Sequence, residues 1–131
     1  MLFRSPYSVD AHPDHVAAAQ LVMAARFYSK FTKTSMASEP FYPPRAYQYM
    51  AVHLRLIAQP SFVIDVSGYL DAKLEAIRSY ESQFAANEAN RGIVTSMEQT
   101  AQRWGALAGV EAGEPFFSAE PVALPTPDVL I

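Results

Sequence analysis

Residues 15–28, "HVAAAQLVMAARFY", place the hardest constraint on how this chain can fold. Val16, Ala19, Leu21, Val22, Met23, Ala25 and Phe27 fall on nearly every side of a helix, and Gln20 and Arg26 are the main polar interruptions. A helix with no polar face must be covered on more than one side. The run "SFVIDV" (61–66) makes the same demand of a strand, because a continuous apolar stretch fits a sheet covered on both faces. Together they point to a layered α/β fold.

The remaining elements are consistent with that class. "MLFRSPY" reads as the end of a strand running into a loop at Pro6, "SEPFYPPR" (38–45) as a proline-bounded loop, and "RAYQYM" (45–50) as a strand. Ser67 is placed to cap a helix with Leu70, Leu74, Ile77 and Phe84 on one side and Asp71, Glu75 and Arg78 on the other. Thr95 and Glu98 have capping-box spacing. They would open a helix buried along Met97, Ala101, Trp104 and Ala108, with Gly109 or Gly113 ending it. The tail "EPFFSAEPVALPTPDVLI" holds four prolines and is expected to be extended and surface-hugging. The expectation is about three helices and two or three strands, in a sheet too small for the helices around it. An uncovered strand edge is a liability, so residues 1–131 read as a single partial domain.

Composition limits the chemistry. The chain has 131 residues, 50% hydrophobic and 18% charged, which excludes a disordered chain. A net charge of -3 and the absence of a Lys/Arg cluster give no reason to expect nucleic acid. There is no cysteine, so any metal must sit on His, Asp or Glu. No apolar run approaches the roughly 20 residues that span a bilayer. The first ten residues are too short and polar for a signal peptide, so a soluble cytoplasmic protein is expected.

The chemistry-bearing motif is His12-Pro13-Asp14-His15. One reading is a helix start, with proline in the first turn and an aspartate complementing the macrodipole. That accounts for Pro13 and Asp14 but not for two histidines. The other reading is half of a metal site, in which the helix end helps keep His15 neutral and Asp14 supplies a carboxylate to an imidazole. A catalytic zinc usually takes three protein ligands, and this motif cannot supply three. His53 has no acidic neighbour and reads as structural or exposed rather than as a ligand. Asp65 is either a carboxylate in need of a partner or a strand-end residue capping the next helix. Tyr47, Tyr49, Trp104, Phe116 and Phe117 read as core or interface aromatics.

Taken together, "PYSVDAHPDHVAAAQLV", "SFVIDVSGYLDAKLEAIRSYESQF" and "RWGALAGVEAGEPFF" resemble the zinc-dependent PIG-L/LmbE-type N-acetylglucosamine deacetylases, with the bacillithiol-biosynthesis branch the nearest in look. The resemblance runs from about Phe3 to Pro121. It implies the C-terminal part of a Rossmann-like deacetylase fold and a Zn2+ cofactor. By the same match His15 would be a zinc ligand, and His12 would stabilise the oxyanion or act as general acid with Asp14 as its partner. An "AHPDD" block, which supplies two further ligands and a base in that family, has no counterpart in this sequence. Ala112 stands where relatives often carry tyrosine.

The resemblance therefore implies the C-terminal portion of an amide hydrolase acting on an amino-sugar substrate such as N-acetylglucosaminyl-malate, inactive on its own. It also implies a homo-oligomer or association with a missing N-terminal half. The rival expectation is a non-catalytic remnant serving as a structural or partner-binding module. An in-frame "AHPDD" block immediately upstream in the genome would favour the first.

Overall fold

A computed structural model describes residues 3–51, 58–84, 86–90 and 92–130. The chain forms two compact units, residues 1–60 with 117–131, and residues 61–116.

In the first unit, β1 (Phe3–Pro6) and β2 (Ala46–Tyr49) pair in parallel, with Phe3 opposite Ala46 and Pro6 opposite Tyr49. The Tyr7 N–H donates to the Tyr49 carbonyl at 3.0 Å and extends the pairing past Pro6. Parallel neighbours cannot be joined by a tight hairpin. The chain crosses over through α1 (Pro13–Tyr28), which packs against β1, and then through residues 29–45. Ala19 and Phe117 are buried here, and the Phe117 ring stacks on Tyr7 with centroids 3.9 Å apart.

Arg26 is the least expected member of this core. Only 5% of it is exposed, inside the helix whose sequence makes it look like a polar gap. Its Nε donates to the Pro43 carbonyl at 2.9 Å, and one terminal nitrogen donates to the Pro44 carbonyl at 3.1 Å. Both terminal nitrogens reach Glu120, at 3.0 and 3.1 Å. A buried guanidinium needs this many acceptors. It ties the crossing segment and the C-terminal tail to α1. The predicted cover over α1 is only partly supplied, since Leu21 is 70%, Phe27 51% and Tyr28 57% exposed.

In the second unit, β3 (Phe62–Asp65) pairs antiparallel with β4 (Gly113–Ser118), Phe62 opposite Phe116 and Asp65 opposite Gly113. Strand β4 begins the tail that the sequence marks as extended, and it carries Pro115, a residue that argues against a strand. Both faces of β3 are not covered, because Ile64 and Asp65 are exposed. After β3 a 3-10 turn (Ser67–Tyr69) leads into α2 (Leu70–Arg78). The expected single helix to Phe84 is broken at Ser79, whose hydroxyl donates back to the Ala76 carbonyl at 2.7 Å. Such back-bonding competes with helix continuation. Phe84 therefore lies in a separate turn of helix, α3 (Glu81–Phe84).

Helix α4 (Ile93–Ala108) packs against α2 and β3 and buries Ala101, beside the buried Leu74, Ala112 and Phe116. It starts two residues before Thr95 with Gly92 at the cap position and no capping side chain, so the Thr95–Glu98 box is not used. It ends as expected at Gly109, whose φ of 78° suits glycine. Gly105 lets the following loop close on the helix: a Cβ there would lie 2.6 Å from the Ala112 Cα.

The division between the units falls within β4. The α/β class is as expected. Among the described residues there are four strands and four α-helices, the additions being β4 and the detached α3.

Candidate functional site

The motif occupies the turn between β1 and α1. In parallel β–α–β units the carboxyl end of a strand and the start of the following helix commonly carry the ligand-binding groups. Two residues organise this turn: His12, which caps the helix, and Asp10, which the sequence reading did not single out.

His12 is the N-cap of α1 in an extended backbone conformation, with Pro13 in the first turn. Its Nδ1 accepts from the Asp14 N–H at 3.2 Å. A nitrogen that accepts carries no proton, so neutral His12 holds its hydrogen on Nε2. The helix-start reading and the chemical reading of the motif thus describe the same ring. Capping fixes the tautomer.

The Asp10 side chain is fully buried. Its Oδ1 accepts from the His12 backbone N–H at 2.8 Å, and its Oδ2 lies 3.0 Å from His15 Nδ1. An ionised carboxylate only accepts, so Nδ1 of neutral His15 is the donor and Nε2 keeps its lone pair. The His15 side chain is 28% exposed, and its ring lies 4.9 Å from that of His12, centroid to centroid. With Asp10 ionised and both rings neutral, this geometry gives the adjacent imidazoles opposite tautomers, one with a lone pair on Nε2 and the other with a hydrogen there.

Asp14 is placed differently from the expected carboxylate partner of His12. Its side chain is 87% exposed, and Oδ2 stands 4.0 Å from His12 Nδ1, beyond hydrogen-bond distance. The contact runs through its backbone N–H instead. Asp10 is the carboxylate that holds an imidazole, and the available signal for it was an acidic residue two positions before the first histidine.

As a metal site this donor set is partial. A histidine that donates Nδ1–H to a buried carboxylate and keeps Nε2 unprotonated is the usual form of a zinc-ligating imidazole. Among the described residues no group of three or more His, Asp or Glu is arranged to hold a metal ion. The motif fits one position of a zinc shell and not a complete one. His53 lies outside the described residues.

Asp65 takes the second of its two readings. Its Oδ1 accepts from the Ser67 hydroxyl at 2.6 Å and the Ser67 N–H at 3.0 Å, and these bonds, the hydroxyl first, hold its carboxyl below the ordinary value. It caps the turn after β3. Ser67 Oγ in turn accepts from the Ala112 N–H at 3.1 Å, and Ala112 is fully buried, so that position presents no side chain to a ligand. Phe116 and Phe117 are core residues, Tyr47 and Trp104 are half-buried, and Tyr49 is exposed. No helix among the described residues is long and apolar enough to cross a membrane.

The sequence matches no protein-family profile. Solved structures do share the fold. The conserved protein TT1542 from Thermus thermophilus is 31% identical, with a TM-score of 0.84 over 96% of this chain and 54% of its own. The N,N'-diacetylchitobiose deacetylase from Pyrococcus horikoshii, solved with an inhibitor, is 22% identical, with a TM-score of 0.72 over 98% of this chain and 50% of its own. GalB, the 4-carboxy-2-hydroxymuconate hydratase from Pseudomonas putida, is 18% identical, with a TM-score of 0.70 over 94% of this chain and 53% of its own. The chain spans about half the length of these proteins. At the last two identities the likeness is one of fold, and that fold serves a deacetylase and a hydratase alike.

Proposed function

We propose that this chain carries the HPDH half of a zinc-dependent deacetylase site that removes the acetyl group from an N-acetylglucosamine conjugate, with an N-acetylglucosaminyl-malate-like substrate of the bacillithiol pathway as the first to test. One observation carries the reading: His12 Nδ1 accepts from the Asp14 N–H while His15 Nδ1 lies on the buried Asp10 carboxylate, contacts that favour opposite tautomers in two neighbouring imidazoles. Metal-assisted amide hydrolysis can use both forms. The lone pair on His15 Nε2 suits a metal ligand, and the hydrogen on His12 Nε2 suits a donor to the developing oxyanion. Zinc, when bound, would polarise the acetyl carbonyl and acidify a water. The remaining ligands and the general base would come from outside the described residues. The products would be acetate and a free amino sugar. The fold shared with a diacetylchitobiose deacetylase supports this reading.

The test is hydrolysis of N-acetylglucosaminyl-malate, followed by acetate release, with the remaining ligands supplied in cis or in trans. Zinc-dependent turnover that disappears with His15→Ala supports the proposal. Turnover unaffected by zinc removal or by loss of His15 would end it.

A further inference from the structure

The buried carboxylate of Asp10 is the least expected group in the molecule. Burial of an ionised carboxylate costs several kcal/mol unless hydrogen bonds replace its lost water. Each Asp10 oxygen meets one of the histidines: Oδ1 accepts from the His12 backbone N–H at 2.8 Å, and Oδ2 lies 3.0 Å from His15 Nδ1. One side chain thus fixes where His12 caps the helix and which nitrogen of His15 holds the proton. Asp14, the acidic residue inside the motif, does neither with its carboxylate.

We infer that Asp10 is the positioning residue of this site, setting the ring orientation and tautomer of His15 while pinning the backbone of His12. The tautomer assignment stands on the geometry alone; its use in ligating zinc rests on the deacetylase reading. Asp10→Asn has a specific consequence. The amide oxygen keeps the His12 N–H, and the amide nitrogen, now a donor, faces His15 Nδ1. That nitrogen must then accept, so the proton moves to Nε2 and removes the lone pair a metal would use.

The experiment is long-range 1H–15N correlation spectroscopy of the 15N-labelled 131-residue chain, well above the ordinary imidazole pKa of about 6.5. In the wild type, neutral His15 should be protonated on Nδ1 and His12 on Nε2. In Asp10→Asn, His15 should switch to Nε2–H while His12 keeps its tautomer. Loss of packing alone would not reverse one ring and spare its neighbour. A wild-type His15 protonated on Nε2 overturns the proposal without any variant, so it stays falsifiable if Asp10→Asn does not fold. An unchanged His15 tautomer in a folded variant also overturns it. A second arm titrates zinc, against a competing chelator, into the chain joined to the remaining ligands. Asp10→Asn should weaken binding by about 10–100-fold. If neither protein binds zinc, the deacetylase reading has failed and the tautomer result still decides the role of Asp10.

Discussion

At the scale of single residues, the proposed deacetylase site would divide its work between His12 and His15 through their tautomers, so their substitutions should separate. His15→Ala should lose zinc from the reconstituted site. His12→Ala should keep zinc and lose about a hundredfold or more in turnover, since an oxyanion donor is worth roughly 3 kcal/mol. Metal analysis beside steady-state kinetics distinguishes them, and zinc lost from His12→Ala would show that the roles are exchanged. Both histidines stand out in the sequence because one cap is enough for a helix start, and although His12 takes that place the second imidazole three residues on still needs a reason. Asp10 stands out less: an acidic residue two positions before the first histidine can be seen, but the burial that gives it importance cannot.

The Arg26 guanidinium, hydrogen-bonded to Glu120, holds the Glu120 carboxyl below the ordinary glutamate value of about 4.3, with Arg45 adding a weaker pull. A carboxyl depressed by folding contributes stability that is present above its unfolded value and lost as the pH falls through the folded one. Asp65, held down by Ser67, works in the same direction. Denaturant stability should therefore fall below about pH 4. Glu120→Gln should be less stable at neutral pH and show a shallower acid slope. A slope equal to that of the wild type would show that the pair does not couple to folding.

At the scale of elements, two glycines of similar appearance should behave differently. Gly105→Ala would put a Cβ 2.6 Å from both the Cα and the N of Ala112, backbone atoms that cannot swing aside. The expected loss is about 1–3 kcal/mol, as for an overpacked core. Gly109→Ala meets nothing within 4 Å and bears only the strain of a φ of 78°, about 1–2 kcal/mol. Thermal melts of the two variants, read with the β3–β4 amide exchange rates, should show strand protection falling only for Gly105→Ala. The helices were legible because their apolar periodicity and Gly109 are local signals. Strand β4 was not, since Pro115 speaks against a strand and its pairing with β3 is supplied by residues some fifty positions away in the register Phe62 to Phe116. The break at Ser79 was equally hidden, because the periodicity of Leu70, Leu74 and Ile77 continues on paper to Phe84.

At the scale of the whole molecule, the helix with no polar face is again the decisive element. Its sequence demands cover on several sides, and the chain leaves Leu21, Phe27 and Tyr28 open. Phe27, Tyr28 and Phe31 meet edge to face, with centroids 5.4–5.6 Å apart, and form one exposed aromatic group rather than scattered side chains. Lys30 lies 4.2 Å from the Phe27 ring centroid and places a charge at the border of the group. Soluble monomers rarely leave contiguous apolar patches larger than about a few hundred Å2 uncovered. The chain on its own should therefore self-associate. Light scattering behind size-exclusion chromatography should give a mass above 14.5 kDa that rises with concentration. Leu21→Glu combined with Phe27→Glu replaces exposed apolar side chains without touching Ala19 or Arg26, the buried residues of α1. It should return a monomer with unchanged helix content. A wild-type chain that is monodisperse and monomeric would show that the helix tolerates its exposed face, and the requirement for cover read from residues 15–28 would fall with it.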